Sequence, residues 1–169
     1  MVHRLLLLRH AKSSWDEPSL ADHERPLAKR GRKAAVQVGE YLRAADLTPD
    51  LVVCSTARRT RQTWKRLALE GPEVRLEDAM YGATAGELAG LAGELPETVK
   101  TVLFIGHNPG MGDFAVRLCG AAVSTDVRRL LEKFPTAALA VFETDGPWRQ
   151  LLTGHTDLVA YRTPRDSSG

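Results

Sequence analysis

The chain has 169 residues, of which 43% are hydrophobic and 26% are charged, so it is long enough to bury the core of one globular domain. The formal net charge is only +2, and no stretch of the sequence approaches the roughly 18 consecutive apolar residues of a membrane span. The composition therefore argues against strongly basic nucleic-acid-binding proteins and against membrane-spanning proteins, and we expect neither nucleic acid nor a membrane as a partner.

Short apolar runs alternate along the chain with longer amphipathic stretches. Fully hydrophobic runs of this length are typical of strands covered on both faces, and they occur at residues 5–8, 51–54, 101–105, 137–142 and, more weakly, 149–152. Apolar residues at helical spacing predict helices over residues 29–45, 57–69, 84–95 and 111–119.

This alternation predicts an α/β fold, a three-layer sandwich with a mostly parallel central sheet and helices on both faces. The last two predicted strands lie close together around Thr144, Asp145 and Gly146, which favours an antiparallel addition near the C-terminus. No linker or repeat divides the sequence, so we expect a single domain over residues 1–169, with residues 163–169 frayed.

Two of the predicted strands end in a histidine. Arg9 and His10 directly follow the leucines of the first strand, and His107 follows the strand at residues 101–105. After His107, Asn108 can cap a helix and Pro109 suits the first helical position. In open α/β sheets, ligands bind outside the carboxyl ends of the strands, so these side chains are expected to share one site.

The strand at residues 51–54 also leads into a helix start that is rich in cations. Ser55 or Thr56 is the expected N-cap, and Arg58, Arg59 and Arg61 fall in the first turns of the helix. Cations there oppose the helix dipole by roughly 0.3–1 kcal/mol each, and a bound anion would explain them. Each strand end alone is compatible with an ordinary solvated surface, but together the three predict a phosphate site, since helix N-termini and arginines both bind phosphate.

Five segments carry a resemblance to a known family. They are "LLLLRHAKS" (residues 5–13), "RPLAKRG" (25–31), "CSTARRTRQT" (54–63), "GHNPGM" (106–111) and "FPTAALAVFE" (134–143). In order and in strand context they resemble the histidine phosphatase superfamily, which has the phosphoglycerate-mutase-like fold, and within it the short SixA-type phosphohistidine phosphatases. The resemblance extends from residue 5 to about residue 165, nearly the whole chain.

The resemblance implies roles for four residues. The nucleophilic histidine of the family falls on His10 and its partner arginine on Arg9, while the second histidine of the pocket falls on His107. The family arginine that lies four residues after the serine of the second motif selects Arg59. The positive charge around His10 is expected to lower its pKa from about 6.5 and keep the imidazole neutral and nucleophilic.

A second group of residues is predicted to bind substrate. Lys12 and Ser13 follow the nucleophile and either touch phosphate or lie in a solvated turn. Arg25 matches a family position near the mouth of the pocket, with an ion pair to a carboxylate such as Glu24 as the alternative. Asn108, beside the second histidine, completes this group.

The sequence departs from the family in two places. Ala11 follows the first histidine where many members have glycine, and no acidic proton donor is evident apart from Glu77 or Asp78. Expelling an alkoxide without a general acid is slow, by roughly 10²–10⁴-fold, so labile phosphoryl donors are favoured. The sequence thus predicts a phosphatase that acts through a phosphohistidine intermediate on His10 and removes phosphate from protein phosphohistidine. The alternatives are a phosphatase of a small phosphoester or sugar phosphate and a non-catalytic module that binds a phosphorylated ligand.

Other phosphatase chemistries find no support in the sequence. A cysteine-dependent phosphatase needs an arginine six positions after the cysteine, where Cys54 has Thr60 and Cys119 has Thr125. The five histidines show no local metal-ligand spacing, so we expect a metal-independent enzyme without a cofactor. The two scattered cysteines and the lack of a secretory signal pattern favour a cytoplasmic protein, expected to be a monomer or weak homodimer.

Overall fold

Six strands form one sheet in which the first, second and fourth strands lie next to one another. The computed structural model describes residues 2–167, and the strand order is β3-β2-β4-β1-β5-β6. The strands are β1 (His3–Arg9), β2 (Leu51–Ser55), β3 (Glu73–Glu77), β4 (Thr101–Gly106), β5 (Leu139–Thr144) and β6 (Thr156–Arg162). The first four are parallel, β5 pairs antiparallel with β1, and β6 pairs antiparallel with β5 at the edge of the sheet. This arrangement confirms the predicted fold class.

Helices cover both faces of the sheet. They are α1 (Lys29–Ala44), α2 (Arg58–Leu67), α3 (Ala85–Gly93), α4 (Gly110–Cys119), α5 (Thr125–Glu132) and α6 (Pro164–Ser167). Helices α1 and α2 pack on one face, and α3, α4 and α5 contribute to the larger core on the other. Over the described residues, no helix has the length and apolar character needed to cross a membrane.

The leucine run of β1 is divided between the two cores. Leu5 and Leu7 pack into the cluster beneath α3 to α5, whereas Leu6 and Leu8 pack into the cluster beneath α1 and α2. All four are at most 1% exposed, and burying each side chain contributes roughly 1.5–3 kcal/mol. Their burial on both faces fixes β1 as a rigid central strand, which carries Arg9 and the following His10 at its carboxyl end.

The C-terminal part of the sheet differs from the prediction. Residues 149–152 are not a strand: Trp148–Gln150 forms a 3₁₀ turn that buries Trp148 and leads to buried Leu151, and the second antiparallel strand is β6. Buried residues three apart suit a helical turn better than a strand, in which they would point to opposite faces. The edge strand β3 and helix α5 were not predicted at all.

The end of the described chain is ordered by an ion pair. Residues 164–167 form α6, and Asp166 of this helix accepts a hydrogen bond from Arg129 of α5 at 2.7 Å. The prediction that residues 163–169 are frayed is therefore wrong for α6, while residues 168 and 169 lie outside the described residues.

Two glycines allow helices to touch the backbone near the ends of the parallel strands. A Cβ atom on Gly31 of α1 would lie 2.1 Å from the carbonyl oxygen of Lys12. A Cβ atom on Gly110 at the start of α4 would lie 2.0 Å from the carbonyl oxygen of Ala83. Only glycine permits such close approach, so α1 is held directly against the loop that follows His10.

Candidate active site

Two histidines meet where β1 and β4 end. The backbone N–H of His10 donates to the carbonyl oxygen of Gly106 at 3.0 Å, which ties the end of β1 to the end of β4. The ring centroids of His10 and His107 are 5.3 Å apart. Both side chains are largely buried, with 7% and 8% of their surface exposed. The parallel pairing of the two strands thus brings the two sequence-predicted histidines together.

A backbone contact selects the tautomer of His10. Nδ1 lies 2.7 Å from the carbonyl oxygen of Ala11, and because a carbonyl oxygen only accepts, Nδ1 must carry the hydrogen. The other ring nitrogen, Nε2, then has a free lone pair when the ring is neutral. Burial lowers the pKa of His10 to about 3, although the bond to Ala11 acts in the opposite direction. The charges of Arg59 and Arg9, and that of His107 in acid where its ring is protonated, contribute to the decrease.

His107 is also a neutral imidazole with a defined tautomer. Its Nδ1 lies 3.3 Å from Arg59 Nη2, which can only donate, so Nε2 carries the hydrogen and donates to Ser55 Oγ at 2.8 Å. Burial lowers the pKa of His107 to about 4, with a further contribution from the charge of Arg59. At neutral pH both rings are therefore uncharged.

Arg59 is the arginine of the second motif that reaches the histidines. It lies in the first turn of α2 and is 7% exposed. Its Nη1 donates to the backbone carbonyl of Asp22 at 2.7 Å, and its Nη2 donates to Asp22 Oδ2 at 3.0 Å. The guanidinium groups of Arg58 and Arg61 instead bind backbone carbonyl oxygens away from the histidines.

Both helix starts differ in detail from the prediction. The N-cap residue of α2 is Ala57, not Ser55 or Thr56, and no side chain caps the helix. The hydroxyl of Ser55 accepts from the N–H of Ala57 at 3.3 Å and is shared with the second histidine. In α4, Pro109 is the N-cap residue, and the side chain of Asn108 accepts from Gly112 N–H at 3.0 Å.

Arg9 has hydrogen-bonding capacity left over. Its Nη1 donates to the carbonyl oxygen of Phe134 at 3.2 Å. Its Nε is buried and has no partner among the described residues. Burial and the neighbouring charge of Arg59 lower the pKa of Arg9. An unsatisfied buried donor costs roughly 1–3 kcal/mol, a cost that an oxyanion bound next to the guanidinium would remove.

The residues predicted to bind substrate lie around this centre. Lys12 is half-buried in the loop after His10. The hydroxyl of Ser13 accepts from Arg25 Nη2 at 2.6 Å, and Arg25 Nη1 forms an ion pair with Asp22 at 3.2 Å rather than with a neighbouring glutamate. The side-chain amide of Asn108 donates to the carbonyl oxygen of Phe134 at 2.8 Å. Their contacts with substrate stay predictions.

Asp22 and Tyr81 belong to the site, although no motif in the sequence indicated them. The carboxylate of Asp22 accepts from Arg59, from Arg25 and from the hydroxyl of Tyr81, the last at 2.5 Å. The bond from Tyr81, followed by those from the arginines, lowers the pKa of Asp22 to about 2. The ring of Tyr81 stands edge-on to His107, with centroids 5.3 Å apart. In the sequence, the only feature that could have indicated Asp22 as a partner of the site arginines is its position three residues before Arg25.

The two candidate proton donors are engaged outside this cluster. Glu77 accepts from the backbone N–H of Ala79 at 3.2 Å, and Asp78 accepts from the hydroxyl of Thr56 at 2.6 Å. Cys54 is fully buried, and burial raises the pKa of its thiol to about 12, as expected of a core residue. Within residues 2–167, no cluster of three or more histidine, cysteine, aspartate or glutamate side chains is arranged to hold a metal ion.

Comparison with known proteins gives the same family as the motifs. The model of the histidine phosphatase superfamily (branch 1) matches residues 5–113. An uncharacterised protein of Mycobacterium tuberculosis is 37% identical over 161 residues, which cover 94% of this chain and 100% of that protein. The chain therefore belongs to the histidine phosphatase superfamily, and it is a phosphatase.

Solved structures place it among the SixA-like members. A protein of Nakamurella multipartitia provisionally named phosphohistidine phosphatase SixA is 31% identical, with a TM-score of 0.87 and 97% of each chain covered. A protein of Agrobacterium tumefaciens with the same provisional name is 30% identical, with a TM-score of 0.82 and coverage of 96% of this chain and 98% of that one. The predicted similarity to SixA-type proteins is confirmed.

Proposed function

We propose that this phosphatase removes phosphoryl groups from phosphohistidine in proteins, through a phosphohistidine intermediate on His10. The observation that carries the proposal is the hydrogen bond from His10 Nδ1 to the Ala11 carbonyl oxygen. It leaves Nε2 as the nucleophilic nitrogen in a ring that is neutral at physiological pH. The SixA-like relatives make protein phosphohistidine the first substrate to test.

The reaction takes two steps. In the first, the lone pair of His10 Nε2 attacks phosphorus, a P–N bond forms, and the bond from phosphorus to the substrate nitrogen breaks with its electron pair leaving on that nitrogen. In the second, the oxygen of water attacks phosphorus, and the bond from phosphorus to His10 Nε2 breaks with its electron pair returning to that nitrogen. The water proton leaves with the inorganic phosphate, and His10 is again a neutral imidazole. Arg9 and Arg59 stabilise the charge on the nonbridging oxygens in both transition states. A phosphoryl dianion beside His107 would raise the pKa of that ring and let it donate as well.

No carboxylic acid that could serve as a general acid is evident near His10 among the residues that the structure describes, which favours phosphohistidine over alkyl phosphates. Asp22, the carboxylate bound to Arg59, has a pKa near 2 and is ionised at neutral pH, so it has no proton to give. A protonated phosphoimidazole needs no such proton, because it expels neutral imidazole, whose conjugate acid has a pKa of about 6.5. A sugar phosphate must expel an alkoxide and would lose the roughly 10²–10⁴-fold contribution of a general acid.

Phosphate release in the presence of EDTA tests the proposal. The substrates are a phosphohistidine peptide, an aryl phosphate and a sugar phosphate, and the variants are His10→Ala and, as a matched control, the exposed His155→Ala. We expect the wild type and His155→Ala to prefer the phosphohistidine peptide, and His10→Ala to lose about a thousandfold or more of kcat. Mass spectrometry of the acid-labile intermediate should locate the phosphoryl group on His10.

The nucleophile, the substrate and the enzymatic activity can each be disproved by a different result. Full activity of His10→Ala would disprove the proposed nucleophile. A higher kcat/KM for the sugar phosphate than for the peptide would assign the enzyme to small phosphoesters. If the wild type binds phosphate but cleaves none of the three substrates, the site is a binding module.

A further inference from the structure

A groove runs beside the site between the loop after β1, the start of α1 and one face of α2. We call it the mouth groove and define it by the six cations that line it: Lys12, Lys29, Arg32, Arg58, Lys65 and Arg66. The residues of α2 that line the groove, at positions 58, 62, 65 and 66, lie on a single face of the helix because 62 follows 58 by four positions, and 65 and 66 follow 62 by three and four. The groove begins two residues from the nucleophile, at Lys12.

The positive charge of the mouth groove is not neutralised within the described chain. None of its six cations forms an ion pair among residues 2–167, and its lining contains only two carboxylates, those of Asp16 and Glu17. The first turn of α1 has no acidic residue. Because the whole chain has a net charge of only +2, the surplus is local. A cleft lined with one sign of charge attracts partners of the opposite sign.

An exposed tryptophan stands in the same groove. The side chain of Trp15 is 68% exposed, and the guanidinium carbon of Arg25 lies 3.2 Å from its ring centroid. Arg25 is itself fixed, since it is 6% exposed and donates to Ser13, to the carbonyl of Ser14 and to Asp22. A large aromatic ring held in place beside a cation is the kind of residue that anchors protein interfaces.

From this juxtaposition we infer that the mouth groove binds an acidic segment of the protein that carries the phosphoryl group. The inference rests on the proposed function, because it names the partner of the same site. The cations of α2 span residues 58–66, about 12 Å along the helix. A single phosphate cannot span this distance, whereas an extended segment of about four residues can. The carboxylates of the segment pair with the cations, and one of its apolar side chains packs on Trp15.

Phosphohistidine peptides with acidic, neutral or basic flanks test the inference. We expect the acidic-flanked peptide to have the highest kcat/KM, by about tenfold over the neutral one, and this advantage to shrink with added salt. Charge reversal in Lys65→Glu/Arg66→Glu and truncation in Trp15→Ala should each remove most of the advantage while leaving kcat/KM for a small aryl phosphate unchanged. The control Arg117→Glu/Arg128→Glu alters exposed cations of α4 and α5 by the same total charge.

A binding measurement separates failure of the groove from failure of the proposed function. Fluorescence anisotropy of an unphosphorylated acidic peptide reports on the groove without any chemistry, and binding that weakens in Lys65→Glu/Arg66→Glu but not in the control supports the inference even if no phosphohistidine is hydrolysed. Equal kcat/KM for the three peptides together with no binding would overturn it. An equal loss of peptide binding in the control variant would also overturn it. So would a single-stranded oligonucleotide that binds more tightly than the acidic peptide and depends on Trp15.

Discussion

The carbonyl oxygen of Ala11 determines which nitrogen of His10 keeps a free lone pair. The contact uses a backbone atom, so it depends on the course of the chain after β1 and not on the side chain at position 11. The lowered pKa of His10 was expected from the nearby arginines, but burial is its largest cause. The charges that the sequence displays thus add to an effect that only the fold produces.

The guanidinium of Arg59 is predicted to be irreplaceable by an ammonium group. Its two terminal nitrogens reach the carbonyl and carboxylate of Asp22 and the ring of His107 at once, a planar fork that lysine lacks. We expect Arg59→Lys to lower kcat/KM by about 10²–10³-fold, measured with an aryl phosphate. Arg61→Lys, an exposed position in the same helix, should stay near wild type. Equal losses in the two variants would contradict the selection of Arg59.

Elements with a strong hydrophobic pattern could be predicted, and those without one could not. β1, β2, β4 and β5 are nearly continuous apolar runs because helices cover both of their faces. β3 is an exposed edge strand with the sequence "EVRLE", which carries no buried face to reveal it.

The residues of the site likewise divide into those that the sequence could predict and those that it could not. The histidines and Arg59 follow predicted strands, so their meeting could be expected from topology. Asp22 contacts Arg59, which is 37 positions away in the sequence. Tyr81 contacts Asp22, from which it is separated by 59 positions. No local pattern encodes such contacts, because they depend on how two irregular segments are placed by the packing of α1 and α2.

The contact of α1 with the loop after His10 predicts the effect of a single methyl group. In Gly31→Ala the new Cβ would collide with the backbone of Lys12, so α1 and the loop must separate. We expect a loss of about 1–3 kcal/mol in the free energy of unfolding, measured with urea, together with lower kcat. In Gly90→Ala of α3 the methyl group meets no atom within 4 Å, and we expect a gain of about 0.4–1 kcal/mol. A neutral Gly31→Ala would contradict the rigid contact.

Over the whole molecule, the two buried neutral histidines couple stability to pH. Their folded pKa values, about 3 for His10 and about 4 for His107, lie below the value of about 6.5 expected in the unfolded chain. Between these limits the unfolded chain binds more protons, so the free energy of unfolding falls as the pH falls. The depressed pKa of Asp22 acts in a lower window, between about 4 and 2.

Urea unfolding at about pH 7 and about pH 5 measures this coupling. Each buried histidine should contribute a loss of up to about 2 kcal/mol between the two conditions, since one pKa unit corresponds to roughly 1.4 kcal/mol. His10→Asn should show a smaller loss than wild type, because it removes one of the two groups. His155→Asn, at an exposed position, should keep the full loss. An identical pH dependence in all three proteins would show that His10 is not held neutral by the fold.

The ion pair between Asp22 and Arg59 means that the guanidinium already has an oxyanion partner of its own. If phosphate takes that place, binding is an exchange of one oxyanion for another, and its free energy is the difference between two similar interactions. The same carboxylate can return to Arg59 once the phosphoryl group has been hydrolysed. We then expect inorganic phosphate to be held weakly, so that the product has little tendency to inhibit the enzyme that forms it.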